Sequence, residues 1–150
     1  MRAAIRLSQQ HMERGAGGPF GAVIVRGEEI VGRGWNKVTS TQDPTAHSEV
    51  VAIRAACRKL GTFRLDDCEI YTSCEPCPMC LAAIYWARLR QVWFGNTRQD
   101  AARIGFDDDF LYRQVALPLV RRTLPMQQLL PAEAAVVFRA WAAKPDKVPY

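Results

Sequence analysis

No apolar run in this chain approaches the roughly 20 residues needed to cross a bilayer. Nor is there a block of like charge on the order of five or six residues, of the kind that marks a nucleic-acid or membrane-binding tail. Internal repeats, low-complexity stretches and Gly/Ser-rich linkers are also missing. Histidine is scarce, with two residues, and cysteine is few and odd in number, with five. An odd set of thiols argues against a disulfide framework and for metal chemistry in a reducing compartment. Arg2 leads into a helix-like pattern rather than the continuous apolar core of a secretion signal. One domain, residues 1–150, in the cytoplasm is the expectation, with no membrane partner.

What is present fits that frame. Hydrophobic residues make up 49% and charged residues 23% of the 150 positions, enough for a core without staples. The net charge of +5 raises the question of nucleic acid. The positive residues are dispersed, however, as Arg88 and Arg90, Arg121 and Arg122, Lys144 and Lys147. A basic surface accounts for them without a nucleic-acid partner.

In chain order, residues 2–14 read as a helix with Ala4, Ile5, Leu7 and Met12 available to one face. Residues 20–25 form a nearly all-apolar, β-branched run of the kind found in strands covered on both faces. A turn at Gly27-Glu28 and a return strand over 29–35 make the first pair antiparallel. Residues 36–42 read as loop. Asp43-Pro44 looks like a helix cap followed by proline at the first helical position. Strands at 68–73 and 91–95 flank a helix at 78–88 opened by proline. A last strand at 123–130, a last helix at 132–142 and a tail complete the chain. Alternating strands and helices imply βαβ crossovers and an α/β fold with the sheet covered on both faces.

Three of the cysteines crowd into Cys74-Glu75-Pro76-Cys77-Pro78-Met79-Cys80. Cys77 and Cys80, three apart at a helix start, face the same way, and the positive end of the helix favours their thiolates. His47-Ser48-Glu49 opens another helix upstream. Two thiolates and a neutral His47 suit zinc, and three protein ligands leave a fourth position for a water or hydroxide. Glu49 is then the natural proton carrier. Paired H-x-E and P-C-x-x-C is the signature of zinc-dependent deaminases, which remove an amino group from a heteroaromatic ring by hydrolysis. Cys74 leaves two alternatives open, a fourth ligand to a structural zinc or part of an iron–sulfur run. The bacterial ferredoxin spacing would need a cysteine where Ile84 stands. Cys57 and Cys68 read as buried core residues and His11 as a surface residue.

The blocks Gly18-Pro19-Phe20-Gly21-Ala22-Val23-Ile24-Val25, Asp43-Pro44-Thr45-Ala46-His47 and Tyr71 through Cys80 resemble the cytidine deaminase-like superfamily, over nearly the whole chain. Ala83-Ile84-Tyr85-Trp86-Ala87-Arg88 does too. Gly105-Phe106-Asp107-Asp108-Asp109-Phe110 and the terminal Tyr150 resemble its bacterial guanine deaminase branch. The resemblance implies a three-layer α/β/α fold with a five-stranded mixed sheet, and hydrolysis of guanine to xanthine and ammonia. It implies one zinc ion per subunit, with His47, Cys77 and Cys80 as ligands and Glu49 as proton shuttle. Asn36, Asp108 and Tyr150 would contact the base, with Phe20 and Trp86 as aromatic walls. It also implies a homodimer in which the C-terminal segment, about 143–150, is exchanged so that Tyr150 acts in the partner's site. Guanosine and an aminotriazine such as ammeline stay open as substrates. The rival is a tRNA adenosine deaminase, which shares the metal motifs but tends to have other residues at Gly-Gly-Pro-Phe and Thr-Ser-Cys-Glu-Pro-Cys. Within the resemblance Cys74 becomes a wall residue at a strand end. One departure is Ser48, where the family usually has alanine.

Overall fold

Two close approaches decide the layering. A Cβ on Gly21 would lie 2.3 Å from the Ala4 carbonyl oxygen, and one on Gly34 would lie 2.1 Å from the Ser48 carbonyl oxygen. Only glycine lets a helix backbone rest on a strand backbone this closely. The first contact seats helix α1 (Arg2–Glu13) against strand β1 (Gly21–Arg26). The second seats α3 (Ser48–Leu60) against β2 (Glu29–Trp35). Gly21 pairs with Trp35, and Ala22 pairs with Gly34. Because side chains alternate across a strand, α1 and α3 lie on opposite faces of the sheet. The structure, a computed structural model, describes residues 1–149.

β3 (Cys68–Cys74) runs antiparallel to β1, and β4 (Gln91–Asn96) runs parallel to β3 after a crossover through α4 (Pro78–Trp86). The sheet order is β2-β1-β3-β4. Ala22 and Ile24 of β1, Ile70 of β3, Ala52 and Ala56 of α3, and Ile84 of α4 close one core between the sheet and the two helices. Each large side chain fully buried there contributes about 1.5–3 kcal/mol. The chain divides into two compact units, Met1–Arg113 and Gln114–Tyr150. The first holds the sheet, α1, a short α2 (Val38–Thr41), α3, α4 and α5 (Arg98–Arg103). Helix α6 (Asp108–Ala116) runs across the division. The second holds a 3₁₀ turn at Leu119–Arg121 and α7 (Pro131–Ala143).

The α/β class and the flanked mixed sheet match expectation, with four strands among the described residues instead of five. The missing strand is 123–130. There the Thr123 backbone N–H donates to the Gln114 side chain, and Arg122 donates to the carbonyls of Leu117 and Val115. Pro125 removes a further ladder donor. Three other expectations change. Residues 38–41 are a helical turn rather than loop, ended by Gln42 in a left-handed conformation. On α1 only Ala4 is buried, while Ile5 and Met12 are exposed. The sheet is not covered at its β4 end, where Trp93 and Phe94 are each 48% exposed. Among the described residues, no helix is long and apolar enough to cross a membrane.

Candidate metal centre and catalytic cavity

The helix expected to be capped by Asp43 and opened by Pro44 starts four residues later. The Asp43 carboxylate accepts from both the backbone N–H and the hydroxyl of Thr45, and the Asp43 carbonyl accepts from the Ala46 N–H. These bonds close a turn and leave no cap for a helix. His47 stays extended (φ −68°, ψ 154°), and α3 begins at Ser48 with Glu49 in its first turn. The second motif has the same build. Cys77 is extended (φ −65°, ψ 168°) at the cap position of α4, Pro78 opens the helix, and Cys80 lies in its first turn. Two helix starts thus deliver one ligand candidate each from the cap residue.

The Cys77 Sγ lies 3.6 Å from His47 Nδ1, and the donor atoms of His47, Cys77 and Cys80 all fall within 4.8 Å of one another. Nitrogen and sulfur ligands at about 2.0 and 2.3 Å from a tetrahedral zinc lie roughly 3.5 Å apart, so the donor set fits that ion. The Cys80 thiol donates to Cys77 and holds it as a thiolate down to about 4, with the His47 ring adding to the effect against the cost of burial. Cys80 is correspondingly raised, first by that shared hydrogen bond and then by burial. His47 is raised by its bond to Cys77. One proton shared between two thiols beside an imidazole is what a metal ion displaces on binding.

Cys74 is not part of the group. Its Sγ points to the Thr97 carbonyl at 3.6 Å, and burial, then the Asp108 carboxylate, push its thiol up to about 12. It stays protonated at the end of β3, which disfavours a role as fourth ligand.

Beside the metal group, Glu49 is 6% exposed. Its Oε2 accepts from the Ser48 hydroxyl at 2.8 Å and its Oε1 from the Thr72 hydroxyl at 3.3 Å. Burial raises its proton affinity and the Ser48 bond opposes the rise. A buried carboxylate so placed, with its proton affinity raised, can serve as a proton carrier.

Glu49, His47 and Cys77 also line a cavity of about 320 Å³. Phe20 and Phe106 pack edge-to-face against each other on its wall, with ring centroids 4.6 Å apart. Asn36 and Asp108 are on its wall as well. The Asn36 Oδ1 accepts from the backbone N–H groups of Gly18 and Val38, each at 3.2 Å. Its amide N–H₂ is therefore the group available to a molecule in the cavity. Asp108 opens α6, and burial, then the Cys77 thiolate, raise it to about 6. Glu75 completes the lining, its Oε2 accepting from the Arg98 backbone N–H at 3.0 Å. Among the described residues three carboxylates and no lysine or arginine line the space. That suits an uncharged ring rich in N–H groups and repels phosphate.

The fold thus brings together Phe20, Asn36, His47, Glu49, Cys77, Cys80 and Asp108. Trp86 is not on this wall. It is 60% exposed at the end of α4, in a separate depression with Tyr85 and Arg88. Tyr150 lies outside the described residues. The sequence did not single out Phe106 and Glu75 as lining residues or Thr72 as a partner of Glu49. The first two sit inside motifs already marked; Thr72 carries no local signal, because only strand order brings it to α3.

The model of the cytidine and deoxycytidylate deaminase zinc-binding region matches residues 1–96. Guanine deaminase of Bacillus subtilis (strain 168) is 49% identical over 150 residues, covering 100% of this chain and 96% of that protein. The X-ray structure of guanine deaminase from Bacillus subtilis superposes with a TM-score of 0.95 at 49% identity, covering 99% of this chain and 95% of that one. A tRNA-specific adenosine deaminase of Aquifex aeolicus (strain VF5) is 42% identical over 94 residues, covering 63% of this chain and 62% of that protein.

Proposed function

The chain belongs to the cytidine and deoxycytidylate deaminase family, and on that premise we propose that it hydrolyses guanine to xanthine and ammonia. The observation that carries the reading is a buried Glu49 beside the His47, Cys77, Cys80 group, at a cavity of base size with no cationic side chain among the described residues of its wall. The full-length similarity to a guanine deaminase supports the free base over an anticodon loop, since the tRNA-acting relative matches 63% of the chain.

His47, Cys77 and Cys80 hold zinc, which supplies a Lewis-acid centre that brings the pKa of water down from 15.7 to about 7. Glu49 takes the proton of the attacking water as its oxygen adds to C2, the amino-bearing carbon. The same carboxylate passes that proton to the neighbouring ring nitrogen. The second proton, from the hydroxyl now on C2, travels by Glu49 to the amino nitrogen. The C–N bond then breaks as the C=O forms, and ammonia leaves. Phe20 and Phe106 exclude water from the ring faces. The Asn36 amide donates to a ring acceptor, and Asp108 receives a ring or amino N–H.

Assembly belongs to the same proposal. The single domain acts as a cytoplasmic homodimer, with the segment 143–150 exchanged and Tyr150 closing the partner's cavity. Supporting this, Val120 is 93%, Leu129 82% and Phe138 80% exposed in the single chain. Ammonia release from guanine, guanosine, adenine, cytosine and ammeline by the zinc-loaded protein tests the function. Turnover of guanine is expected. Ammonia from none of them overturns it, and inosine formed only in a tRNA transfers the assignment to the rival activity.

A further inference from the structure

Resting on that reading of Glu49 as proton carrier, we propose that Ser48 is a positioning residue whose hydroxyl fixes the Glu49 carboxylate for proton transfer. Ser48 is 0% exposed, and its Oγ donates to Glu49 Oε2 at 2.8 Å. Its serine hydroxyl sits in the first turn of a helix, where serine is ordinarily spent on a backbone N–H. Here the hydroxyl is committed to a carboxylate on the next residue. The other carboxylate oxygen accepts the longer bond from Thr72, at 3.3 Å. Among the described residues no lysine or arginine pairs with Glu49; neutral donors orient it, the Ser48 and Thr72 hydroxyls together with its own backbone N–H and the Cys80 thiol, and the Ser48 bond is the shorter of the two hydroxyl bonds.

The donor is mounted rigidly. The Ser48 carbonyl packs on Gly34 so closely that a Cβ there would come within 2.1 Å, which pins the first turn of α3 to β2. The hydroxyl therefore reaches Glu49 from a backbone that cannot drift, while the glutamate itself turns about three side-chain bonds. A carboxylate oxygen accepts two hydrogen bonds. Ser48 fills one site on Oε2 and leaves the others for water and substrate. The bond thus restricts the carboxylate without blocking it. A small fully buried residue without a hydroxyl would fill the space but leave Oε2 free to swing.

The full-length, zinc-loaded protein with Ser48→Ala tests this, on whichever aminated ring the unaltered protein turns over. We expect kcat to fall about tenfold with KM within about twofold, since misplacing a catalytic group costs rate and not binding. Zinc content and Tm should be unchanged. In a Glu49→Gln background, Ser48→Ala should cost nothing further, because the hydroxyl acts only through that carboxylate. An unchanged kcat, a loss confined to KM, loss of zinc, or an equal loss in the Glu49→Gln background would each overturn the proposal. A crystal structure of Ser48→Ala provides a readout independent of turnover. Glu49 should occupy more than one rotamer, and a single rotamer as in the unaltered protein would refute the positioning role even if every base proved inert. Inert bases would count against the function alone.

Discussion

Residues 1–113 contain every buried side chain of the described chain, and residues 114–149 contain none. In the first region polar groups are buried together with their partners. Asn36, Glu49, Thr72 and Ser73 are each buried, and each makes a hydrogen bond. In the second region the reverse holds. Helix α7 carries Val136, Val137, Phe138 and Trp141 with only Glu133 and Arg139 for charge, and those four apolar side chains are 46–80% exposed. A helix apolar around most of its girth is stable when something covers it. One region has a core of its own and carries the site, while still exposing Trp86, Trp93 and Phe94; the other, on the proposed assembly, is covered by a partner.

The sharpest way to separate the two is to disable the chemistry alone. Glu49→Gln should lower kcat by roughly 10²–10⁴-fold, the range of general acid–base catalysis, with zinc content and oligomer mass intact. Loss of zinc, measured by atomic absorption, would mean that the carboxylate is a ligand and not a proton carrier.

Disabling the assembly alone is the converse. Phe138→Asp should weaken self-association on the order of 30-fold, the scale of a hot-spot residue, while zinc stays bound. Sedimentation velocity reads the mass. An unshifted profile would show that α7 is not the self-association surface.

The smallest effect tests whether the first region carries strain from its own site. Burial raises the folded-state pKa of Asp108 to about 6, above the ordinary aspartate value of about 3.9. The folded protein therefore holds that proton more tightly than the unfolded chain, and this contribution to stability is lost as pH rises from about 4 to about 6. Zinc-free Asp108→Asn should gain Tm relative to the unaltered protein over that interval and level off above it. A constant difference across the interval would place the Asp108 carboxylate in an ordinary aqueous setting.

Much of this architecture is legible in the order of the amino acids. The strands at 21–26, 29–35, 68–74 and 91–96 and the helix start at Pro78 lie close to where apolar runs and proline put them. The edges moved where side chains compete with backbone, as Asp43 does in its turn with Thr45. The strand expected at 123–130 starts with the same competition: the Gln114 side chain takes the Thr123 backbone N–H, and Pro125 has no N–H to give a ladder. Within α1 the contact stripe is narrow, so Ile5 and Met12 fall off it although their spacing is helical.

By itself, then, the sequence determined the reaction class. Cys77 and Cys80 at a proline-opened helix start, and His47 two residues before Glu49, each have their local geometry set by backbone spacing, although only the fold brings the two motifs together. Only the tertiary structure decided what the cavity is. Phe20 precedes β1, Asn36 follows β2, Phe106 and Asp108 lie beyond β4, and Thr72 reaches Glu49 from mid-strand in β3. Their meeting depends on strand order, on register, and on Gly21 and Gly34 admitting helices onto both faces of the sheet. Contacts between residues distant along the chain are set by how the elements pack, and packing is a property of the whole fold that no short stretch encodes.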